Sequence, residues 1–381
     1  MYNTMRSVSY GRNKTKGQFR TIRTLIILAV LVSCWLTHIA SYHQFTQYPQ
    51  MSLVLLPTIN TRPSDAAGKQ LHPSVDLLKS SGKNWKAWTI QDDILFQVRQ
   101  FSACKWRNYS SQFGPSHSMP ICLHPERNEL MSSIIESYGY WDDCYAISSQ
   151  WHSIISSSKL HIEVGANLGA CVLELLLSST EATIIAFEPH PINLFRLTST
   201  LKMAPLEIGS RVTVFPVALS AEGGGGTAKI VVEKTAASGA NFGASFLQSS
   251  ASMNTTATRE QNQPRQIIDT KIDTTIPAET IPVEKLDELV SGRVRLVKLD
   301  AQGFECNIFD GMQLLLNTTE RITTELEQSS LERNGCSRKG LLTRLQSKFH
   351  VHQYRKGGRL TPLSLTTEKD MNVVGISKSS D

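Results

Sequence analysis

From residue 160 onward the apolar positions come in short runs with strand character, separated by stretches with helical spacing. The strand-like runs are Leu160–Val164, Thr183–Phe187, 212–217 and Val294–Leu299, and the helical stretches are 170–177, 193–202 and 306–316. Strands that alternate with helices of about 10 to 15 residues make βαβ units and hence a parallel sheet. Two further strand-like runs in the tail, 349–354 and 372–376, suit an antiparallel pair at one edge. The pattern predicts an α/β domain over residues 159–377, with a mostly parallel sheet and an antiparallel C-terminal edge. Ahead of it, helical spacing at 130–135 and 151–155 makes 87–158 a helical preamble packed on the domain. Between 236 and 279 the period disappears and Ser, Thr, Asn, Gln, Gly and Ala dominate, which reads as a low-complexity insertion, mostly disordered, with its 241–245 end ordered against the site.

The N-terminal third follows a different logic. Residues 43–86 are rich in Pro, Ser, Thr and Gln and read as a flexible stem. Before them, 24–42 is an apolar stretch of 19 residues, near the roughly 20 that a helix needs to cross a bilayer. Trp35 and Tyr42 stand at its far end, where amphipathic rings suit the interface, and residues 1–23 form a basic leader. A transmembrane signal anchor is the expectation, with the leader cytosolic and everything after Tyr42 in the lumen of the secretory pathway, Golgi or endoplasmic reticulum, as a single-pass type II protein. An organelle transit peptide is the alternative.

Charge supports that division. Six of the 39 basic residues lie in the leader, leaving 33 against 33 acidic residues in the remainder. A nucleic-acid binder would carry its excess on a folded face, so a nucleic-acid partner is not expected. Sequons at Asn108, Asn254 and Asn317 fall on the lumenal side, beside one at Asn13 in the leader. Of seven cysteines, Cys34 lies in the apolar run and Cys171 and Cys306 on predicted core helices, which leaves Cys104, Cys122, Cys144 and Cys336 for two disulfides or for free thiols. No Cys/His spacing suits a metal, and Asp300 and Glu325, each at a predicted strand end, are the one pair that could share such an ion.

Candidate chemistry concentrates after the first strand of the domain, where Glu163-Val164-Gly165-Ala166-Asn167-Leu168-Gly169 breaks a buried run into glycines before a helix. Gly165 and Gly169 lack the Cβ that would keep the backbone away from a ligand. The spacing is G-x-x-x-G, with no seat for a dinucleotide diphosphate, so the turn suits the amino-acid part of S-adenosylmethionine, with Glu163 near its ammonium. Glu188 follows Gly165 by 23 residues, at the end of the second strand, where an acid suits ribose hydroxyls.

These two motifs, with Val217-Ala218-Leu219-Ser220, Leu286-Asp287-Glu288-Leu289 and Val297-Lys298-Leu299-Asp300-Ala301-Gln302-Gly303-Phe304-Glu305 in order, resemble the FkbM-type methyltransferases. The resemblance implies a class I, Rossmann-like methyltransferase fold and S-adenosylmethionine-dependent O-methylation. It also implies that Gly165, Asn167, Gly169 and Glu188 hold the cofactor and that Ala218 and Leu219 lie beside its adenine. The last motif departs from the family's Asp-Val-Glu-Gly, because neutral Gln302 stands where the first acid belongs. Asp300 is the expected general base toward an attacking hydroxyl, with Glu305 as second catalytic candidate and His190, read as an exposed loop residue, as a further alternate. Asn193 reads equally as a helix cap or a contact. The leading expectation is a membrane-anchored methyltransferase acting on a hydroxyl of a glycan or other secretory-pathway acceptor. A catalytically silent cofactor-binding or scaffold module is the alternative, and a nicotinamide dehydrogenase is disfavoured by the glycine spacing.

Overall fold

The computed structural model describes residues 85–96, 103–113, 117–125, 129–222, 226–235, 239–249, 271–272, 280–355, 359–363 and 371–378, the segments 231–235, 239–249 and 271–272 by backbone only. The leader, the apolar segment 24–42 and nearly all of the stem lie outside the described residues. Among the described residues, no helix is long and apolar enough to cross a membrane.

The chain enters through a β-hairpin, β1 (Lys105–Ser110) and β2 (Ser118–Leu123), followed by helices α1 (Leu130–Tyr138) and α2 (Cys144–His152). The preamble is therefore not helical throughout. Its first half alternates, with Met119, Ile121 and Leu123 buried, and this two-residue period is brief beside the helical one that follows. Glu129 caps α1 by accepting from the Met131 and Ser132 amides, and Gly139 ends it in the left-handed conformation at φ +82°.

Then come β3 (Leu160–Val164), α3 (Ala170–Ser178), β4 (Thr183–Phe187), α4 (Pro191–Lys202), the short α5 (Leu206–Gly209), β5 (Val212–Phe215) and β6 (Ala218–Leu219). The predicted helix at 193–202 begins two residues earlier, because Pro191 supplies a ready-made first-turn φ and His190 caps it. After β7 (Gly226–Thr235), β8 (Gly239–Ser249), β9 (Lys271–Ile272) and β10 (Thr280–Glu284) the chain returns through α6 (Leu286–Leu289) to β11 (Val294–Leu299). It closes with α7 (Glu305–Asp310), α8 (Gln313–Leu316), β12 (Thr319–Leu326), α9 (Gln328–Arg333), α10 (Arg338–Lys348), β13 (Phe349–Arg355), β14 (Arg359–Pro362) and β15 (Met371–Ser377).

The main sheet has the order β14-β13-β15-β12-β11-β3-β4-β5. Its pairs from β12 to β5 are parallel, and β15, β13 and β14 add the predicted antiparallel edge. Side-chain alternation divides the core in two. Leu160, Ile162, Val164, Val297 and Leu299 pack on one face with α6 to α10, while Ile184, Ala186 and Leu296 pack on the other with α2, α3 and α4. This is a three-layer methyltransferase-like α/β fold.

Two expectations are corrected by the other elements. Residues 239–249, inside the segment read as a low-complexity loop, form strand β8 in a second sheet, β6-β10-β7-β8, with β9 on β7. The apolar alternation Phe242, Ala244, Phe246 is diluted by small residues and becomes a strand only beside β7; 250–270 and 273–279 lie outside the described residues. The cysteines form three bridges, Cys104–Cys122, Cys144–Cys171 and Cys306–Cys336, with Cα separations of 4.9, 4.7 and 6.2 Å. Cys171 and Cys306 are buried on helices as expected, yet each meets a cysteine from a neighbouring element, so burial and bridging are not alternatives. By loop-closure entropy each bridge contributes about 3 kcal/mol.

Candidate active site

The sheet order reverses between β3 and β11, the place where open α/β sheets bind ligands beyond their carboxyl ends. A pocket of about 840 Å³, including its open mouth, lies there. Its floor is the turn after β3. Gly165 takes φ +77°, and a Cβ on it would strike the Asp300 carbonyl, because the ends of β3 and β11 lie against each other there. Gly169 takes φ +94° and faces Leu197 of α4; it does not line the pocket. The glycines thus serve close packing of the chain on itself as well as the bend. Asn167, at φ +52°, holds the left-handed conformation with its Oδ1 accepting from the Leu168 amide at 2.7 Å.

Glu188 ties this turn to the second strand. Its carboxylate accepts from the Asn167 amide at 2.6 Å and from the His190 amide at 2.8 Å, and burial raises its pKa to about 7 against these bonds. A carboxylate offers about four lone-pair sites; these two amides and the Asn193 side chain occupy three, so about one remains for a ligand hydroxyl. Ala218 and Leu219, buried in β6, complete an apolar wall with Phe187, Val217 and Ile230. Met131 and Trp141 from the preamble complete the lining, which sequence reading did not foresee.

Glu163 is not in the wall. It is fully buried between His161 Nε2 at 2.7 Å and Lys298 Nζ at 2.9 Å. Burial pushes its pKa up, but the Lys298 charge and the His161 hydrogen bond outweigh that and hold it below the ordinary glutamate value. The expected contact with a cofactor ammonium is replaced by this ion pair, because β3 alternation turns Glu163 toward Lys298 on the neighbouring strand. Lys298 does reach the pocket and bridges Glu163 to Asp300 Oδ2 at 3.2 Å; burial lowers its pKa, and the two carboxylates reverse this and raise it well above the ordinary lysine value. It is the residue that sequence reasoning missed, although its spacing of two from Asp300 on a strand was a usable signal.

Asp300 lines the pocket with its side chain one-third exposed, one oxygen on Lys298 and the other accepting from Gln302 Nε2 at 3.0 Å. The departure at Gln302 therefore places a hydrogen-bond donor on Asp300 where an acid would bring a like charge. Glu305 is not brought to this pocket. Its oxygens accept from the Ala301 amide at 2.8 Å and the Gly303 amide at 2.9 Å, so it braces the loop ahead of α7, and burial raises its pKa to about 7. His190 is buried rather than exposed: Pro191 starts α4 beside it, its Nδ1 accepts from the Ile192 amide at 3.2 Å, and burial with the Arg196 charge lowers its pKa to about 3. Asn193 lines the pocket from the first turn of α4 and pairs with His124 at 3.2 Å. No group of three or more His, Cys, Asp or Glu among the described residues could hold a metal ion.

Residues 163–355, just over half of the chain, match the methyltransferase FkbM domain. The chain belongs to the FkbM methyltransferase family. Similar solved structures include an FkbM methyltransferase from Methylobacillus flagellatus KT, at 13% identity and TM-score 0.35, covering 58% of this chain and 44% of that one. The N-terminal domain of EvdMO1 with SAH bound is 12% identical with TM-score 0.31, over 62% and 80% of the two chains. A SAM-dependent O-methyltransferase from Thermotoga maritima is 10% identical with TM-score 0.32, over 74% and 96%. The FkbM chain thus spans less than half the length of its Methylobacillus relative. No curated protein is similar to it at a significant level. Membership of this family implies S-adenosylmethionine as the cofactor. The pocket fits that cofactor, with a spare carboxylate lone pair on Glu188 for a ribose hydroxyl and an apolar wall for a nucleobase.

Proposed function

We propose that the chain O-methylates a hydroxyl of a glycan or other secretory-pathway acceptor, from the lumenal side of a membrane to which residues 24–42 anchor it. The observation that carries the methyl-transfer site is the convergence of the glycine turn, Glu188 and Asp300 on one pocket. When bound there, S-adenosylmethionine supplies an electrophilic methyl group on a sulfonium. Gly165, Asn167 and Glu188 would hold it, with Ala218 and Leu219 beside the adenine. Asp300 takes the proton that the acceptor hydroxyl loses as its oxygen gains the methyl group. Lys298 and Gln302 fix the Asp300 carboxylate, and Met131 and Trp141 add apolar lining to the same pocket. Glu305 acts through the backbone of the 301–303 loop and takes no proton.

Compartment enters through covalent chemistry. Three disulfides suit an oxidising lumen, and the sequon residues Asn108 and Asn317 are exposed. The test has two parts. Calorimetric titration of the purified chain with S-adenosylmethionine should give micromolar binding, and absence of binding to folded protein would leave the silent-module alternative. Incubation with labelled cofactor and lumenal glycans should label a sugar hydroxyl. Label found only on protein, or none, removes the glycan acceptor.

A further inference from the structure

A second pocket, of about 430 Å³, adjoins the first and shares Lys298 and Asp300 with it. It lies between the first turn of α2 and the face of the sheet made by β11, β12, β15 and β13. The register explains which side chains face it. Lys298 pairs with Thr323, and Thr323 pairs with Val374. Two residues on, Glu325 pairs with Asn372, across from Asp300 on the other side. Tyr354 of β13 and Asp143 at the start of α2 close the pocket.

Two independent features point to a ligand. Thr323 lines this pocket and is only 6% exposed, and its buried Oγ1 has no hydrogen-bond partner, an unfavourable state that a ligand's polar group would relieve. The pocket is also acidic. Asp143, Asp300 and Glu325 line it, and Lys298, the one cation among its described lining residues, is committed to Glu163 and Asp300. Burial, then the charges of Asp300, Glu327, Asp143 and Glu305, raise the Glu325 pKa to about 8. An anionic group entering here would meet the Asp300 and Asp143 carboxylates beside a Glu325 that is mostly protonated near neutral pH, whereas hydroxyl or ammonium donors would find acceptors on Thr323 and Glu325.

Resting on the methyl-transfer reading above, we infer that this second pocket is the acceptor subsite and admits an uncharged or amine-bearing polyhydroxyl group while rejecting an anionic one. Thr323 Oγ1 and the Glu325 carboxyl set that choice, and the shared wall at Asp300 presents the reacting hydroxyl to the cofactor pocket. Tyr354 offers a ring face at the far side.

The test is saturation-transfer NMR on the full chain loaded with S-adenosylhomocysteine, using three probes: methyl N-acetylglucosaminide, methyl glucosaminide and methyl glucuronide. The neutral and amine probes should give signal and the glucuronide none. Thr323→Val and Glu325→Gln should each weaken the signal about three- to tenfold while S-adenosylhomocysteine affinity stays within about twofold of the parent. Glucuronide binding equal to that of the neutral sugar, unchanged signal in both variants, or silence from all three probes overturns the inference. The parent reading fails separately, at loading, if S-adenosylhomocysteine does not bind.

Discussion

The cofactor wall and the proposed acceptor wall meet at Asp300 but are built in opposite ways. The first comes mainly from consecutive elements, β3, its glycine turn, β4 and the start of α4, where Glu188 reaches back 21 residues to the Asn167 amide. The second takes single residues from α2, β11, β12, β13 and β15, held in register by strand pairing across the antiparallel edge. A local wall tolerates little, since each residue is fixed by its own backbone. A composite wall can change one side chain at a time, which is how one fold serves many acceptors.

The largest effect should come from Gly165→Ala. Its Cβ has nowhere to go but the Asp300 backbone, at a φ of +77°, so the variant should lose more than about 3 kcal/mol of stability and all measurable cofactor binding. A normal melting curve with normal titration would remove the claim that the local wall is rigid. Asp300→Asn should lower turnover about 10²- to 10⁴-fold while cofactor affinity stays within about threefold, read by single-turnover kinetics and calorimetry. Comparable losses in both would make Asp300 a structural residue of both walls. For Glu188→Ala, the expected change is cofactor binding weaker by about ten- to a hundredfold, with neutral-sugar signal in the second pocket retained at saturating S-adenosylhomocysteine.

Acidity offers a subtler comparison. Glu188 and Glu305 near 7 and Glu325 near 8 all titrate above the ordinary 4.5, so the folded chain binds protons that the unfolded chain releases across that window. The stability they contribute is full below about pH 4.5 and is lost as pH rises toward 8. Melting temperature should therefore fall by about a few degrees from pH 6 to pH 8.5. Glu325→Gln should flatten the upper part of that slope and Glu188→Gln the lower; a slope that rises with pH contradicts the assignment. Smallest of all, Gln302→Glu removes the donor on Asp300 Oδ1 and should change turnover by about two- to fivefold.

Strong local periodicity explains what was legible. β3, β4 and β11 fall where their apolar runs predict, and α3 ends one residue beyond its predicted stretch. The predicted 306–316 helix breaks into α7 and α8 at Gly311, where a Cβ would strike the Ser220 carbonyl; that contact comes from a distant segment and leaves no local trace. His190 shows the same limit, since two flanking prolines suggest an exposed loop and only packing under α4 buries it. Lys298 stood in a recognised motif, yet its role depends on Glu163, which the pairing of β11 with β3 sets opposite it.

By itself, then, the sequence determined the alternating α/β order, the glycine turn, the acid at the end of the second strand and the family, because each is a property of neighbours along the chain. Tertiary structure alone decided that Cys171 and Cys306 form bridges, that Glu163 serves an ion pair rather than the pocket wall, that 239–249 is a strand, and that Thr323 and Glu325 share a pocket with Asp300. Each of these depends on which distant strand or helix supplies the partner. Pairing between strands far apart in the chain is set by the balance of burial over the whole sheet, not by any local pattern.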